Sequence, residues 1–399
     1  VVLLLTSCYY RQAYAEINLK NIVYNISQIQ NKLKTGSFPI FLSNGRNSTI
    51  SIAPVIKADA YGHGSVKIAH QILTSGLNIS LLCVALPEEG IVLREEGIKS
   101  EILLLSPLYP KDDVIEAVLQ YNLVFSISDI EFFNFLKRSS VLKRRASQVK
   151  VHLKIDTGMG RIGLSPEKVS QTVEDILRDK RFILEGIYTH FACANCDKEY
   201  TLYQLKIFNN LIRKIKKKFN FLPKYLHAAN SAAILNFAES YFNLVRPGLL
   251  IYGLYPFTGA ENMLSLKPAM SFITKITCLR ELPRNRKISY CGTYVTRKKT
   301  KVAVLPVGYA DGITTLLSNK GKVLIRGEFA PIIGRVTMDM VMVDVTHIKD
   351  VKIGDEVVVI GQQGEKKITP EDIGKLNGLT NYEVVCNVTS RVPRIYVWK

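Results

Sequence analysis

The chain has 399 residues, 47% of them apolar, enough to bury the cores of two or three domains and too many for a disordered segment. Its formal net charge of +19 raises nucleic acid or an anionic surface as a partner. The basic residues are spread along the chain without zinc-finger spacing or an RNA-binding aromatic signature, and no apolar run is long enough to cross a bilayer, so neither partner is expected.

The N-terminal run Val1–Cys8 is apolar but has no charged leader, and reads as a strand or a trimmed terminus rather than a signal. The polar stretch 34–51 reads as a surface loop. From about residue 15 to 255, short apolar β-branched runs alternate with longer helix-period stretches. Strands are expected at 52–57, 81–85, 102–105, 123–126, 149–155, 183–189, 224–228 and 243–246. Eight βα units are the number that closes a (β/α)8 TIM-type barrel; a doubly wound open sheet is the alternative. The stretch Tyr203–Phe219 places Leu205, Phe208, Leu211, Ile212 and Ile215 on one helical face, with the basic run Arg213–Lys218 on its solvated side. After Tyr255 the helical period fades. Short strands divided by Gly and Pro are expected at 272–279, 301–306, 322–325, 341–345, 356–360 and 395–398, a C-terminal β-rich domain. The division falls near 259–268, giving a barrel over 1–262 and a β domain over 263–399. The seven cysteines, an odd number without a framework, point to free thiols in a reducing compartment, hence a cytoplasmic protein. The single C-x-x-C of Cys193 and Cys196 lacks the second pair a zinc site needs, and no metal is expected.

The segment Pro54-Val-Ile-Lys-Ala-Asp-Ala-Tyr-Gly-His-Gly64 runs an apolar strand into Lys57 and then a glycine-bearing turn. Barrel sites lie at C-terminal strand ends, and a lysine in apolar surroundings there suits Schiff-base chemistry; a lysine snorkelling to solvent is the plainer reading. The segment resembles the cofactor-lysine signature of the alanine racemase family, which commonly has Asn where this chain has Asp59. Further segments resemble the family in order, from Tyr14–Leu19 to Thr389–Arg394. The resemblance implies a barrel plus a C-terminal β domain, pyridoxal 5'-phosphate as cofactor, and a homodimer with shared active sites. It implies racemisation of alanine, which supplies D-alanine for peptidoglycan.

Site residues carry over by the same resemblance. Lys57 and Tyr61 belong to the first segment. In Val151–Gly163, Arg161 reaches the phenolic oxygen of the cofactor and the substrate carboxylate, and Lys154 matches a position often carbamylated in relatives. His190 lies against the cofactor ring, with Asn230 and Ser231 near the cofactor and Ser231 on its phosphate. Arg246 meets the pyridine nitrogen, and the N–H groups of Gly248 and Leu249 meet the phosphate. Arginine donates hydrogen bonds and accepts no proton, so it leaves that nitrogen neutral and favours racemisation over decarboxylation or transamination. Tyr290 matches the catalytic tyrosine that the partner chain supplies; a tyrosine needs cationic neighbours to act as a base at neutral pH. Tyr309, Met338 and Asp339 lie on segments that approach the substrate. Some relatives have a phosphate-binding tyrosine where this chain has Ser390. A basic-amino-acid decarboxylase on a similar barrel would need an acidic partner at position 246. A cofactor carrier without turnover would lack the second domain.

Overall fold

The chain forms a ring of short parallel strands and a set of mostly antiparallel sheets. The computed structural model describes residues 11–34, 49–145 and 147–399. Val1–Cys8 and most of the predicted 34–51 loop lie outside the described residues. Two compact units emerge: 22–60 with 65–267, and 11–21 with 61–64 and 268–399.

Among its described residues the first unit holds eight strands: β1 (Ser51–Ile52), β2 (Leu81–Val84), β3 (Glu101–Leu104), β4 (Phe125–Ile127), β5 (Val149–Lys154), β6 (Phe182–Tyr188), β7 (Tyr225–His227) and β8 (Leu244–Val245). Parallel ladders join β2 to β3 and run through β4, β5, β6 and β7. Single bridges, Val55 with Cys83 and Leu103 with Val124, link the β1 extension to β2 and β3 to β4. Arg246 N donates to Ala229 O (2.9 Å) beyond the ends of β7 and β8, and β8 pairs back onto β1. The ring is closed, so the (β/α)8 barrel holds and the open sheet does not. Strands of such a barrel are covered on both faces and read as apolar runs. All four residues of β2 are buried. Against that background His152, Lys154, Glu185, Thr189, His227 and Arg246 are buried polar groups, the class of residue that needs a reason to be inside.

The helix Lys198–Phe219 behaves as its period predicts. Asp197 caps it by accepting from Tyr200 N (2.9 Å), and Asn220 ends it at φ 47°. Leu205, Phe208, Leu211, Ile212 and Ile215 are buried; removing such side chains from water is worth about 1.5–3 kcal/mol each. Arg213, Lys214, Lys217 and Lys218 are exposed at its C-terminal end, where cations complement the helix dipole.

In the second unit one sheet runs in the order Glu328–Pro331, Lys322–Ile325, Glu356–Gln363, Met270–Lys275, Tyr14–Asn18, Arg394–Val397. The N-terminal strand Tyr14–Asn18 thus lies in the β-rich unit, between two strands from the far end of the chain. A second sheet joins Cys278–Leu282, Thr300–Leu305 and Val341–Asp344. The strand predicted over 272–279 is two strands. Ile276 N donates to Asp355 O (3.0 Å) and Thr277 N to Val304 O (3.0 Å), so the chain changes sheets between them. Two helices, Pro370–Asn377 and Asn381–Cys386, each begin with a capping box, Thr369 with Asp372 and Thr380 with Glu383.

Candidate active site

β1 continues in extended form through Pro54: Val55 N donates to Pro247 O and Ile56 N to Cys83 O, both at 2.9 Å. Lys57 therefore leaves the ring at its C-terminal mouth, where barrel sites lie. The next four residues, Ala58, Asp59, Ala60 and Tyr61, take φ between 51° and 54°. A left-handed turn of L-residues costs about 1–2 kcal/mol per residue. Two carboxylates hold it. Glu89 Oε1 accepts from Ala58 N (2.6 Å) while its Oε2 accepts from Ala85 N (2.7 Å) and Leu86 N (3.1 Å). Asp59 Oδ1 accepts from Ser65 N (2.7 Å). That last bond needs only an acceptor oxygen, which the family's Asn also offers. Within the β-rich unit, a side chain at Gly64 (φ 92°) would overlap the Tyr396 hydroxyl.

β5 delivers Lys154 into the barrel, and the loop behind it presents Arg161. Asp156 Oδ1 accepts from Gly158 N and Met159 N (2.8 Å each), and its Oδ2 accepts from Gly160 N (2.9 Å), so the loop is wound on one carboxylate. Arg161 is exposed beyond it. Lys154 is 5% exposed, its ammonium 5.5 Å from the Tyr188 ring centroid. Burial, then the charges of Arg246, Arg161 and Lys57, lower its pKa to about 7; Asp156 alone acts the other way. The same cations, after burial, push the His190 imidazole well below its ordinary range. Three cations, Arg246, Arg161 and Lys57, thus act on Lys154 at the mouth, opposed by one carboxylate already engaged by three N–H groups. Such a site is built for an anion.

Arg246 is buried and pinned. Its Nη1 donates to His227 Nδ1 (2.8 Å), and its Nη2 donates to Thr189 O (2.7 Å) and Ala228 O (3.2 Å). Its Nε–H makes none of these bonds. Arginine only donates, so His227 Nδ1 accepts and its proton sits on Nε2. That nitrogen donates to His152 Nδ1 (2.9 Å), which places the His152 proton on Nε2, 3.8 Å from Glu185 Oε2. The last separation is too long for a hydrogen bond, and the attraction there is electrostatic. Burial lowers both histidines, so both are neutral. Tyr188 stacks on His227 at 4.6 Å, and Gly186 leaves the space its neighbour His152 fills. Glu185 closes the row beside Lys150 (2.9 Å) and Lys224 (3.7 Å).

Burial would raise the Glu185 carboxyl, but His152 and Lys150 hold it at about 2, against 4.5 unperturbed. A depressed carboxylate contributes stability that is complete above its unfolded pKa and lost as pH falls through its folded one. Glu185→Gln is expected to lower Tm at neutral pH by roughly 5–10 °C and to flatten the fall of Tm between about pH 5 and pH 2. An unchanged acid limb would mean that another group weakens the barrel in acid.

The phosphate-binding residues expected from sequence meet around β7 and β8. Asn230 caps the short helix Ser231–Asn236, its Oδ1 accepting from Ala233 N (3.0 Å). Ser231 Oγ accepts from Gly248 N (3.0 Å), and Leu249 opens the 3-10 turn Leu249–Tyr252. N–H groups at the start of a helical turn have no partner within it and serve phosphate oxygens.

The remaining expected residues lie in the β-rich unit. Tyr309 N donates to Thr337 O (3.0 Å) and Ala310 N to Met338 O (3.1 Å), so the Tyr309 and Met338 segments are bonded together. Ser289 Oγ donates to Arg335 O (2.7 Å), which ties the Tyr290 loop to the same set. Tyr290 is 71% exposed, and Tyr309, Met338 and Met340 are also exposed. Asp339 is engaged by Arg391 Nη2 at 2.8 Å. Tyr61 is half-buried, and its carbonyl faces His63 Nδ1 at 2.9 Å.

A closed (β/α)8 barrel whose mouth gathers a strand-end lysine, two arginines and a buried lysine of lowered pKa, with Ser231 bonded to the Gly248 N–H and a β-rich domain following in the chain, is that of a pyridoxal-phosphate barrel protein. Residues 17–256 match the alanine racemase N-terminal domain, and 269–396 the alanine racemase C-terminal domain. The chain belongs to the alanine racemase family. It is 41% identical to the alanine racemase of Halothermothrix orenii, covering 97% of each chain, and 40% identical to that of Carboxydothermus hydrogenoformans, covering 97% of this chain and 100% of the other. Among solved structures it resembles alanine racemase of Clostridium difficile 630 (TM-score 0.87, 35% identity, 97% of this chain and 96% of that one). It also resembles the Bacillus anthracis alanine racemase with bound L-Ala-P (TM-score 0.85, 32% identity, 98% and 96%).

Proposed function

We propose that this chain interconverts L-alanine and D-alanine with pyridoxal 5'-phosphate held at the barrel mouth. The carrying observation is the surplus of positive charge around Lys154, set by Arg246, Arg161 and Lys57 with only Asp156 opposing. The donor set fits the cofactor. Lys57 would hold it covalently. Ser231 and the N–H groups of Gly248 and Leu249 would take its phosphate, Arg246 its pyridine nitrogen and Arg161 its phenolic oxygen. His190 would lie against the ring, with Tyr61 and Asn230 as polar neighbours. When bound, the cofactor supplies an electron sink that acidifies the substrate α-hydrogen.

The chain's residues do the rest. Arg246, backed by a neutral His227, offers the ring nitrogen a hydrogen bond and no proton, which favours return of a proton to Cα. An acidic group there would be needed for the decarboxylase reading. Arg161 and the Met338 backbone orient the substrate carboxylate, with Tyr309 and Asp339 close by. Two bases serve the two faces: Lys57 Nζ takes the proton from D-alanine and Tyr290 Oη takes it from L-alanine. The exposure of Tyr290, Tyr309 and Met338 supports a homodimer in which the β domain of one copy completes the barrel site of the other. The free thiols support a reducing, cytoplasmic setting in which D-alanine is made for peptidoglycan.

The decisive experiment incubates L-alanine with the purified protein and pyridoxal phosphate and resolves the product by chirality. D-alanine accumulating to a near-equal mixture is expected; none, with the cofactor bound, would mean another amino acid is the substrate.

Lys154 is proposed to be carbamylated. An amine with a pKa of about 7 is substantially unprotonated at neutral pH, as attack on carbon dioxide requires, and the product anion would balance the cations around it. Labelled bicarbonate is expected to give a carbamate carbon resonance that Lys154→Ala removes. A resonance unchanged in that variant would assign the carbamate elsewhere.

A further inference from the structure

Racemisation leaves unused the Cys193-Ala-Asn-Cys196 turn between β6 and the helix Lys198–Phe219. Both thiols are free, Cys193 half-buried and Cys196 exposed. The backbone is a closed turn: Cys196 N and Asp197 N both donate to Cys193 O, at 2.9 and 2.8 Å. A four-residue turn brings its end Cα atoms within about 7 Å, and a disulfide spans about 4.4–6.8 Å between Cα atoms. The turn is also held just before its start and within it. Gln204 accepts from Ala192 N (2.9 Å) and donates to His190 O (3.2 Å), and Asn236 Nδ2 donates to Ala194 O (2.9 Å).

We propose that Cys193 and Cys196 are a reversible dithiol–disulfide site whose oxidant is a low-molecular-weight disulfide. The exposed Cys196 attacks as thiolate on one sulfur of the small disulfide, forming a mixed disulfide and releasing one small thiolate. Cys193 then attacks the Cys196 sulfur as thiolate, closing the protein disulfide and releasing the second. The two protein sulfurs are oxidised, the small disulfide is reduced, and the two protons lost by the protein thiols end on the two released small thiols. The closed ring stiffens residues 191–197, directly after His190 and directly before the helix that carries Gln204.

The test equilibrates the holoenzyme in mixtures of reduced and oxidised glutathione, blocks remaining thiols, and maps peptides by mass. The expected result is a 193–196 peptide lighter by two hydrogens, restored by dithiothreitol, with slower amide exchange over 191–197. Cys193→Ser should trap glutathione on Cys196. Cys196→Ser should leave Cys193 modified roughly tenfold more slowly, because a half-buried thiol is a poorer attacker. The proposal is overturned if wild-type protein keeps glutathione on Cys196 without closing the ring. It is equally overturned if both thiols stay reduced while the exposed Cys291 and Cys386 are modified in the same sample, or if ring closure leaves amide exchange over 191–197 unchanged.

Discussion

Lys57→Ala is expected to lose racemisation by at least about a thousandfold, because the proposed function asks one residue both to hold the cofactor and to move a proton. Borohydride treatment, which fixes the cofactor to the wild-type lysine, should leave the variant unlabelled. The left-handed turn does not depend on the Lys57 side chain, since Glu89 and Asp59 grip backbone N–H groups. The fold should therefore survive. Lys57 is also one of the charges that depress Lys154, so its removal should raise the Lys154 pKa and reduce carbamate occupancy. A variant within tenfold of wild-type activity would remove Lys57 from the mechanism.

Tyr290→Phe should cost about 10²–10⁴-fold in kcat, the usual range for a lost general base. The loss is expected to be one-sided. In heavy water the variant should still exchange the α-hydrogen of D-alanine, through Lys57, while exchange from L-alanine falls with racemisation. Tyr290 is mostly exposed, so its ring carries little of the packing and stability should hold. Mixing Lys57→Ala chains with Tyr290→Ala chains should restore activity at one site of two in the mixed dimer. Recovery no greater than in either variant alone would refute sharing of the site between copies, and equal loss of both exchanges would refute the division of labour between the two bases.

The barrel was legible because buried parallel strands are apolar runs and their spacing repeats. Val149–Lys154 and Phe182–Tyr188 fall almost where their β-branched residues end. The C-terminal sheets were harder. The step from one sheet to another between Ile276 and Thr277 leaves no mark, because the run 272–279 holds no Gly or Pro and carries β-branched residues on both sides. The pairing of Tyr14–Asn18 with Arg394–Val397 joins residues nearly the whole chain apart, which no local pattern encodes. In the site, Lys57, Arg161, Ser231, Arg246 and Gly248 were visible as segments resembling a family. The row behind Arg246 was not singled out, although a signal existed: His152, Glu185 and His227 are polar residues inside expected barrel strands. Glu89 gave no such signal. It reads as an ordinary acidic residue in the first turn of a helix, and only the fold shows both of its oxygens at work.

The left-handed turn also bears on the order of assembly. A stretch of L-residues at φ near 50° has no tendency to form by itself, and its cost is offset only once the β2 end and the Glu89 helix are in place. Native contacts of Ala58–Tyr61 should therefore be absent from the folding transition state, with φ-values near zero when probed at Ala58 or Ala60. Ala58→Gly, which relieves the strain, should slow unfolding and leave the folding rate little changed. The lysine that would capture the cofactor is thus among the last parts of the barrel to reach its place, and a partly folded chain would lack the ordered mouth that fixes its position.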